Sequence, residues 1–392
     1  MIRALLDLNV RVKLLLLNQS EEKTSSVELK ERLETHYNSI NLTVEVRRHP
    51  NYSEKGKKKT RIQQLLAKIQ DRLDKLRYED ALINNKQALP ENFEKLVKDQ
   101  LGTGNYDLVW FNYMKMMPSS LPKGRTRVIV DMHDMQSARI KADVLPTLPK
   151  LRRAKFLKVF TNSEIKSLNK CDLAISISPI ETKAIEDIYK PKAKVVTLKA
   201  TDDPRFGYSR NRKYDISFIG SNSAPNVDGL VWFIEQVLPI IAASLPRTRF
   251  LIQGNVTRGK IVKGAIANSP HRQMIKQQGF VESLASVYAE SKVMICPIRY
   301  GTGMKIKVVE AMAYGKAIVG TSIAFEGIDI SEGLVCHDDA NAFAESVIDL
   351  LRNEESRRSA EKAAALTFAN QHSYKSLIES IRDDVLAAEE VS

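Results

Sequence analysis

The chain's 392 residues are enough for two domains, each with a core of its own. Its 43% hydrophobic and 27% charged residues are those of a globular protein, not a disordered or fibrous one. Cys171, Cys296 and Cys336 are too few and too scattered for a disulfide framework or a metal cluster. No continuous apolar run reaches bilayer length, and no cleavable leader pattern opens the chain. A cytoplasmic protein is expected, with the glycosylation-type triplets at Asn18, Asn41, Asn51 and Asn255 incidental.

The formal net charge of +13 is unevenly placed. Residues 1–200 hold 38 Lys and Arg and 24 Asp and Glu, or +14, and the remainder hold 22 and 23, or −1. The first half therefore calls for an anionic partner: a membrane surface, a phosphate-bearing acceptor or nucleic acid. Ordinary solvated basic helices fit the same count. No nucleic-acid-binding module is recognisable, so nucleic acid is not expected.

In chain order, residues 3–9 read as the end of an apolar helix, Val10–Leu17 as a strand and Thr43–Arg47 as a short strand. Asn51–Arg61, with Lys57, Lys58 and Lys59, reads as a basic loop, and Ile62–Ile83 has helical spacing. Phe93–Val97 is helical. Leu108–Phe111 and Arg127–Val130 are apolar runs suited to strands buried on both faces. Asp131-Met132-His133-Asp134 follows the second run, where open α/β sheets bind ligands. His133 can contact a sugar or a leaving group there; a capping or packing role fits the residues alone better. A basic helical stretch over 139–170, a strand from Leu173, a helix from Pro179 and a strand at Val195–Leu198 complete a parallel, doubly wound pattern.

Thr201–Lys213 breaks the pattern and reads as a linker. A second alternating series follows. It has strands at Asp215–Gly220, Arg249–Ile252 and Val293–Cys296, a long helix over Pro225–Leu245, and a helix from Ser283. After Cys296 the loop Arg299-Tyr300-Gly301-Thr302-Gly303-Met304-Lys305 leads into a helix over Ile306–Tyr314, and Ala317–Val319 is another strand. The free N–H groups of a helix start suit a phosphate, and Lys305 and Lys307 are unfavourable in a first turn unless an anion is there. Glu310, one turn on, can accept hydrogen bonds from sugar hydroxyls. A plain helix start with solvated lysines fits the pattern equally well. Helices over 342–351, 355–369 and 374–386 close the chain.

The strings FIGSNSAPNVDGLVWF, FLIQG and GFVESLASVYAESKVMICPIRYGTGMKIKVVEAMAYGKAIVGTSIAFEGI resemble the C-terminal domain of glycosyltransferase family 4. The resemblance is dense over 214–374 and thinner over 1–200, where DMHD and CDLAISIS carry it. It implies the GT-B fold: two Rossmann-like, doubly wound parallel-sheet domains facing a cleft. The domains are expected at 1–200 and 214–370, with a linker at 201–213 and a C-terminal helix over 371–392 that packs back on the first. It further implies a retaining transferase that moves a sugar from a nucleotide-diphosphate donor to a glycan or lipid-linked acceptor in bacterial surface polysaccharide synthesis.

By the same resemblance the diphosphate is held by N–H groups of Gly301, Thr302, Gly303 and Met304 and by Lys305 or Lys307. Glu310 then binds the ribose, and Phe280 and Val281 the base. Gly220, Ser221, Gln253 and Gly254 line the donor, and His133 faces it. No cofactor and no metal are expected, since cations and a helix N-terminus can stabilise the leaving group. The family's other glutamate is replaced by Thr302, and the loop after Gly220 lacks the usual basic residues. Met1 falls inside the family's first helix, so the first strand of the N-terminal domain is expected to be missing. The alternatives are a non-catalytic sugar-nucleotide-binding or membrane-associated partner, and a GT-B nucleotide-sugar epimerase. An anionic membrane surface is a further expected partner, with the chain peripheral on the inner face.

Overall fold

The computed structural model describes residues 1–18, 24–48, 89–103, 105–121, 124–133, 135, 137, 141, 150–205, 212–281, 283–301, 303–330 and 333–387. The basic loop at 51–61, the helix expected over 62–83, Asp134 and Thr302 lie outside the described residues. Two compact units emerge. One joins Met1–Ser176, Glu181–Leu198 and Ser380–Ser392; the other joins Ile177–Ile180 and Lys199–Glu379. The change of unit thus falls at residue 199, ahead of the linker read at 201–213. The C-terminal segment is tied into the first unit by Arg127, whose guanidinium donates to the Val385 carbonyl at 2.6 Å.

In the first unit β1 (Val12–Asn18) pairs in parallel with β2 (Leu42–Arg48). A second parallel ladder runs β3 (Leu108–Asn112), β4 (Arg127–Asp131), β5 (Leu173–Ser176) and β6 (Lys194–Thr197) in that order. The two ladders are separate among the described residues, yet Leu15 and Leu17 of β1 pack on the core built around Phe93, Phe111, Val130 and Ile185. The basic helix Lys150–Leu168 and the helix Pro179–Tyr189 flank β5 in sequence.

The second unit holds a six-stranded parallel sheet of β7 (Tyr214–Ile219), β8 (Phe250–Gln253), β9 (Ile275–Gln278), β10 (Ser291–Cys296), β11 (Ala317–Gly320) and β12 (Val335–Cys336). Its order is β12-β11-β10-β7-β8-β9. From β7 the chain winds to one edge through β8 and β9, then returns to β10 and winds to the other. The strand order therefore reverses between β7 and β10. In such sheets the loops leaving the two strands on either side of the reversal part to leave a crevice, and ligands bind there. The second unit's loops at that point are Gly220–Ser221 after β7 and Pro297–Lys305 after β10.

The helix Ala224–Ser244 is, by length and composition, apolar enough to cross a membrane. Asp228, Glu235 and Gln236 interrupt its apolar residues, which is why no continuous run showed it. Its Leu230, Phe233, Ile234, Val237, Leu238 and Ile241 are buried against the sheet, as in a core helix. Residues 233–237 widen into a π-turn. Near its start Gly229 packs against the loop after β10. A Cβ there would lie 2.0 Å from the Pro297 carbonyl oxygen, a backbone atom with no rotamer to yield. Gly229→Ala is expected to push this loop away and lower stability by about 1–3 kcal/mol. Thermal melting of the variant checks it; an unchanged melting temperature would show that the loop moves freely.

Candidate functional site

The residues at the strand-order reversal are set by the two loops. Gly301 and Gly303 adopt φ of 115° and 78°, backbone that side-chain-bearing residues rarely take, so the turn from β10 into the helix Ile306–Ala313 depends on them. Lys305 is the helix's N-cap residue, and the first-turn N–H groups of Ile306 and Lys307 have no acceptor within the helix. Met304 is buried beneath the loop. Thr302 lies outside the described residues.

The two lysines do different things. Lys305 is mostly buried, donates to the Gly303 carbonyl at 2.5 Å, and lies 3.4 Å from the Glu326 carboxylate. Lys307 is more deeply enclosed. Its ammonium donates to Asn226 Oδ1 at 2.5 Å and stands 4.5 Å above the centre of the Phe218 ring. Burial pulls its pKa below the ordinary lysine value, and Lys305 adds to the fall. Among the described residues no carboxylate lies within ion-pair distance of it; Lys305 has taken Glu326. Glu310 opposes the fall in pKa from beyond ion-pair distance, so the part-buried ammonium is hydrogen-bonded to a neutral amide and only weakly compensated by a carboxylate.

Asn226 connects this ammonium to the other loop. Its Nδ2 donates to the Ser221 carbonyl at 3.0 Å and to the Ser221 hydroxyl at 3.2 Å. Gly220 is needed for the same packing, because a Cβ there would come 2.7 Å from the Phe218 ring. The basic charge that the loop after Gly220 lacks in its own sequence is thus delivered from below by Lys307. Glu310 Oε2 accepts from the Tyr288 hydroxyl at 3.2 Å. Burial raises its pKa above the ordinary carboxylate value and Asp202 adds to the rise, while the Tyr288 bond and Arg205 oppose it. Tyr288 stacks on Tyr314 at 4.3 Å, which fixes its hydroxyl beneath the carboxylate.

Gln253 differs from a lining residue. It is fully buried, its amide donates to the Gly279 carbonyl, and its Oε1 has no partner. Gly254 takes φ of 105° and donates to the Gln278 carbonyl at 2.9 Å, so this pair braces the ends of β8 and β9. Just beyond, Phe280 is 70% exposed with Val281 beside it, an uncovered apolar ring. Asn226, Glu326 and Tyr288 have no signal in the sequence: each acts on a lysine or glutamate tens of residues away.

In the first unit His133 follows β4 in left-handed backbone, φ 58°. Its Nε2 bonds the Asn112 side chain and lies 3.7 Å from Asp131, and its ring stacks on Tyr113 at 4.2 Å. Burial raises the Asp131 pKa, against the opposing charge of His133. The ring is half-buried at the strand end.

Residues 213–353 match the family model described as glycosyl transferases group 1. A stretch of 145 residues is 28% identical to an uncharacterized 44.6 kDa protein in the cps region of Klebsiella pneumoniae, covering 36% of this chain and 37% of that protein. The match thus spans little more than a third of that relative's length. Sucrose-phosphate synthase from Thermosynechococcus elongatus superposes with a TM-score of 0.60 at 13% identity, over 95% of this chain and 98% of that one. Anabaena Alr3699/HepE in complex with UDP superposes with a TM-score of 0.61 at 12% identity, over 96% and 100%. The chain therefore has the GT-B fold, and its second unit matches a glycosyl transferases group 1 domain.

Proposed function

We propose that the chain is a retaining, family 4-like glycosyltransferase that moves a sugar from a nucleotide-diphosphate donor to a glycan or lipid-linked acceptor. The observation that carries this reading is the part-buried Lys307 ammonium, with no carboxylate within ion-pair distance among the described residues, under a helix start at the strand-order reversal. A diphosphate supplies the missing negative charge and accepts the free N–H groups of the first turn. Glu310 binds ribose hydroxyls with the oxygen that Tyr288 leaves open, and Phe280 stacks on the base. The C1–O bond to the diphosphate breaks with its electron pair on the leaving oxygen. The acceptor hydroxyl attacks C1 from the same face and passes its proton to the departing diphosphate oxygen. Lys305, Lys307 and the helix N-terminus stabilise charge on the leaving diphosphate, with no metal called for. His133 is the proposed contact to the donor sugar or leaving group.

Two comparisons support the substrate side. The Anabaena protein of the same fold has been seen with UDP, and the Klebsiella relative lies in a cps region, in keeping with surface polysaccharide synthesis. We place the chain in the cytoplasm, peripheral to the membrane's inner face, on the charge excess of residues 1–200.

Purified protein with a panel of nucleotide sugars tests the reaction by donor hydrolysis and by transfer. Glu310→Ala is expected to weaken nucleoside diphosphate binding about ten- to hundredfold with the fold intact, the cost of a lost charge-assisted hydrogen bond. Binding of every donor without turnover would favour a non-catalytic partner, and unchanged affinity in the variant would remove Glu310 from the site.

A further inference from the structure

The second half of the chain is near neutral in total, but its charges are not evenly spread. Residues 236–281 hold seven Lys and Arg and no Asp or Glu. Five of them, Arg258, Lys260, Lys263, Arg272 and Lys276, fall in the one crossover from β8 through the helix Lys260–Asn268 to β9. This is the edge of the six-stranded sheet, since β9 has β8 as its neighbour on one side alone. All five are exposed, and none forms an ion pair among the described residues. Their neighbours differ: Arg249 and Lys292 both lie on Asp215, at 3.7 and 2.8 Å.

The helix itself has two sides. Val262 and Ile266 enter the core of the unit. The outward positions are Lys260, Ile261, Lys263, Gly264 and Ala267, and Ile261 is 68% exposed. One exposed isoleucine means little alone. Here it stands between two lysines on a face with no carboxylate and otherwise only small residues. An acidic protein or a soluble polyanion would pair with the cations and leave Ile261 in water. A bilayer takes both, phosphates at the cations and the isoleucine at the acyl boundary.

We propose that the β8–β9 crossover is a docking surface for an anionic lipid bilayer. It is independent of the transfer reaction and of the basic first half. Each Lys or Arg near an anionic leaflet is worth about fivefold in binding, and the attraction fades within a Debye length. The surface therefore acts only at close range and weakens with salt.

The full chain is sedimented with vesicles of phosphatidylcholine, alone or mixed with phosphatidylglycerol. Binding to the mixed vesicles alone, falling as salt rises, is expected. K260E/K263E should weaken it at least about tenfold, and Ile261→Ser should weaken it several-fold at fixed salt. Melting temperatures check the fold; if the double reversal lowers them, Arg258→Gln with Lys276→Gln gives the same reading. Equal binding to both vesicle types overturns the proposal, as does unchanged binding by the folded charge variants. Loss of binding on neutralising Lys57, Lys58 and Lys59, with K260E/K263E unaffected, would move the surface to the first unit. Retention on an acidic polysaccharide without vesicle binding would overturn the lipid assignment while leaving the proposed transferase reaction untouched.

Discussion

Lys307→Met should weaken nucleoside diphosphate binding about ten- to hundredfold, or about 1.5–3 kcal/mol, and leave the protein as stable as before or more so. The two halves of this expectation have one cause. The ammonium is enclosed beside a neutral amide and an aromatic ring, so in the empty protein its burial is poorly compensated. Methionine fills nearly the same volume and removes that cost, but it also removes the charge that a diphosphate would meet. Asn226→Asp sharpens the test. A carboxylate at 2.5 Å would pair with Lys307 and raise its pKa. It would also cancel the local positive charge, so affinity should fall, while the lost donation to the Ser221 carbonyl offsets the gain in stability from the ion pair. Isothermal titration with UDP, then GDP and ADP, read beside thermal melts, gives both quantities. Unchanged affinity in both variants would take Lys307 out of the site, and collapse of the methionine variant would make it a structural residue.

The fold could be read from the sequence where burial dictates composition. Strands covered on both faces must be apolar throughout, so Leu108–Asn112, Arg127–Asp131 and Ser291–Cys296 stood out as runs, with ends off by a residue or two. The edge is where that logic fails. The strand Ile275–Gln278 reads IKQQ because its outer side is solvated, and it was missed together with the helix Lys260–Asn268 that leads into it and the two-residue β12. The site was legible as a loop and a list of residue types, not as connections. Periodicity places Lys305 and Lys307 two positions apart on one helix start, and nothing in it tells which ammonium turns inward. That depends on Asn226, 81 positions away, and on Glu326, which is already bound to Lys305. Gln253, which the resemblance sets beside the donor, is buried and braces two strand ends. It sits at the right strand terminus, but its side chain points into the fold. The resemblance supplied roles for these residues; packing decides which of them a ligand can reach.

Lys316 should contribute stability that grows with pH between about 8 and 10.5, against the buried thiols of Cys171 and Cys296, whose raised pKa values take stability away above about pH 9. Lys316 follows Gly315, whose φ of 59° turns the chain out of the helix Ile306–Ala313 and into β11. Its side chain is fully buried, with one long hydrogen bond to the Ser291 carbonyl at 3.4 Å. Burial, with the nearby Arg212 charge adding to it, pulls its pKa from 10.5 down to about 8; Glu361 opposes this but is itself bonded to Arg212 at 2.8 Å. A lysine whose pKa is lower folded than unfolded binds its proton more weakly in the native state. As pH falls from the unfolded value through the folded one, the unfolded chain gains the proton first and is favoured. The loss is complete below pH 8 and amounts to about 3 kcal/mol. Lys316→Met should therefore be more stable than the parent at pH 7, by up to about that amount, and the difference should shrink between pH 8 and 10.5. Glu361 keeps Arg212 in the variant, so no buried carboxylate is stranded. Chemical denaturation of both proteins at pH 7, 8.5 and 10 separates the outcomes. A difference between parent and variant that stays constant across that window, or a methionine variant less stable at pH 7, would mean that Lys316 is held by compensation stronger than one long hydrogen bond and a shared carboxylate.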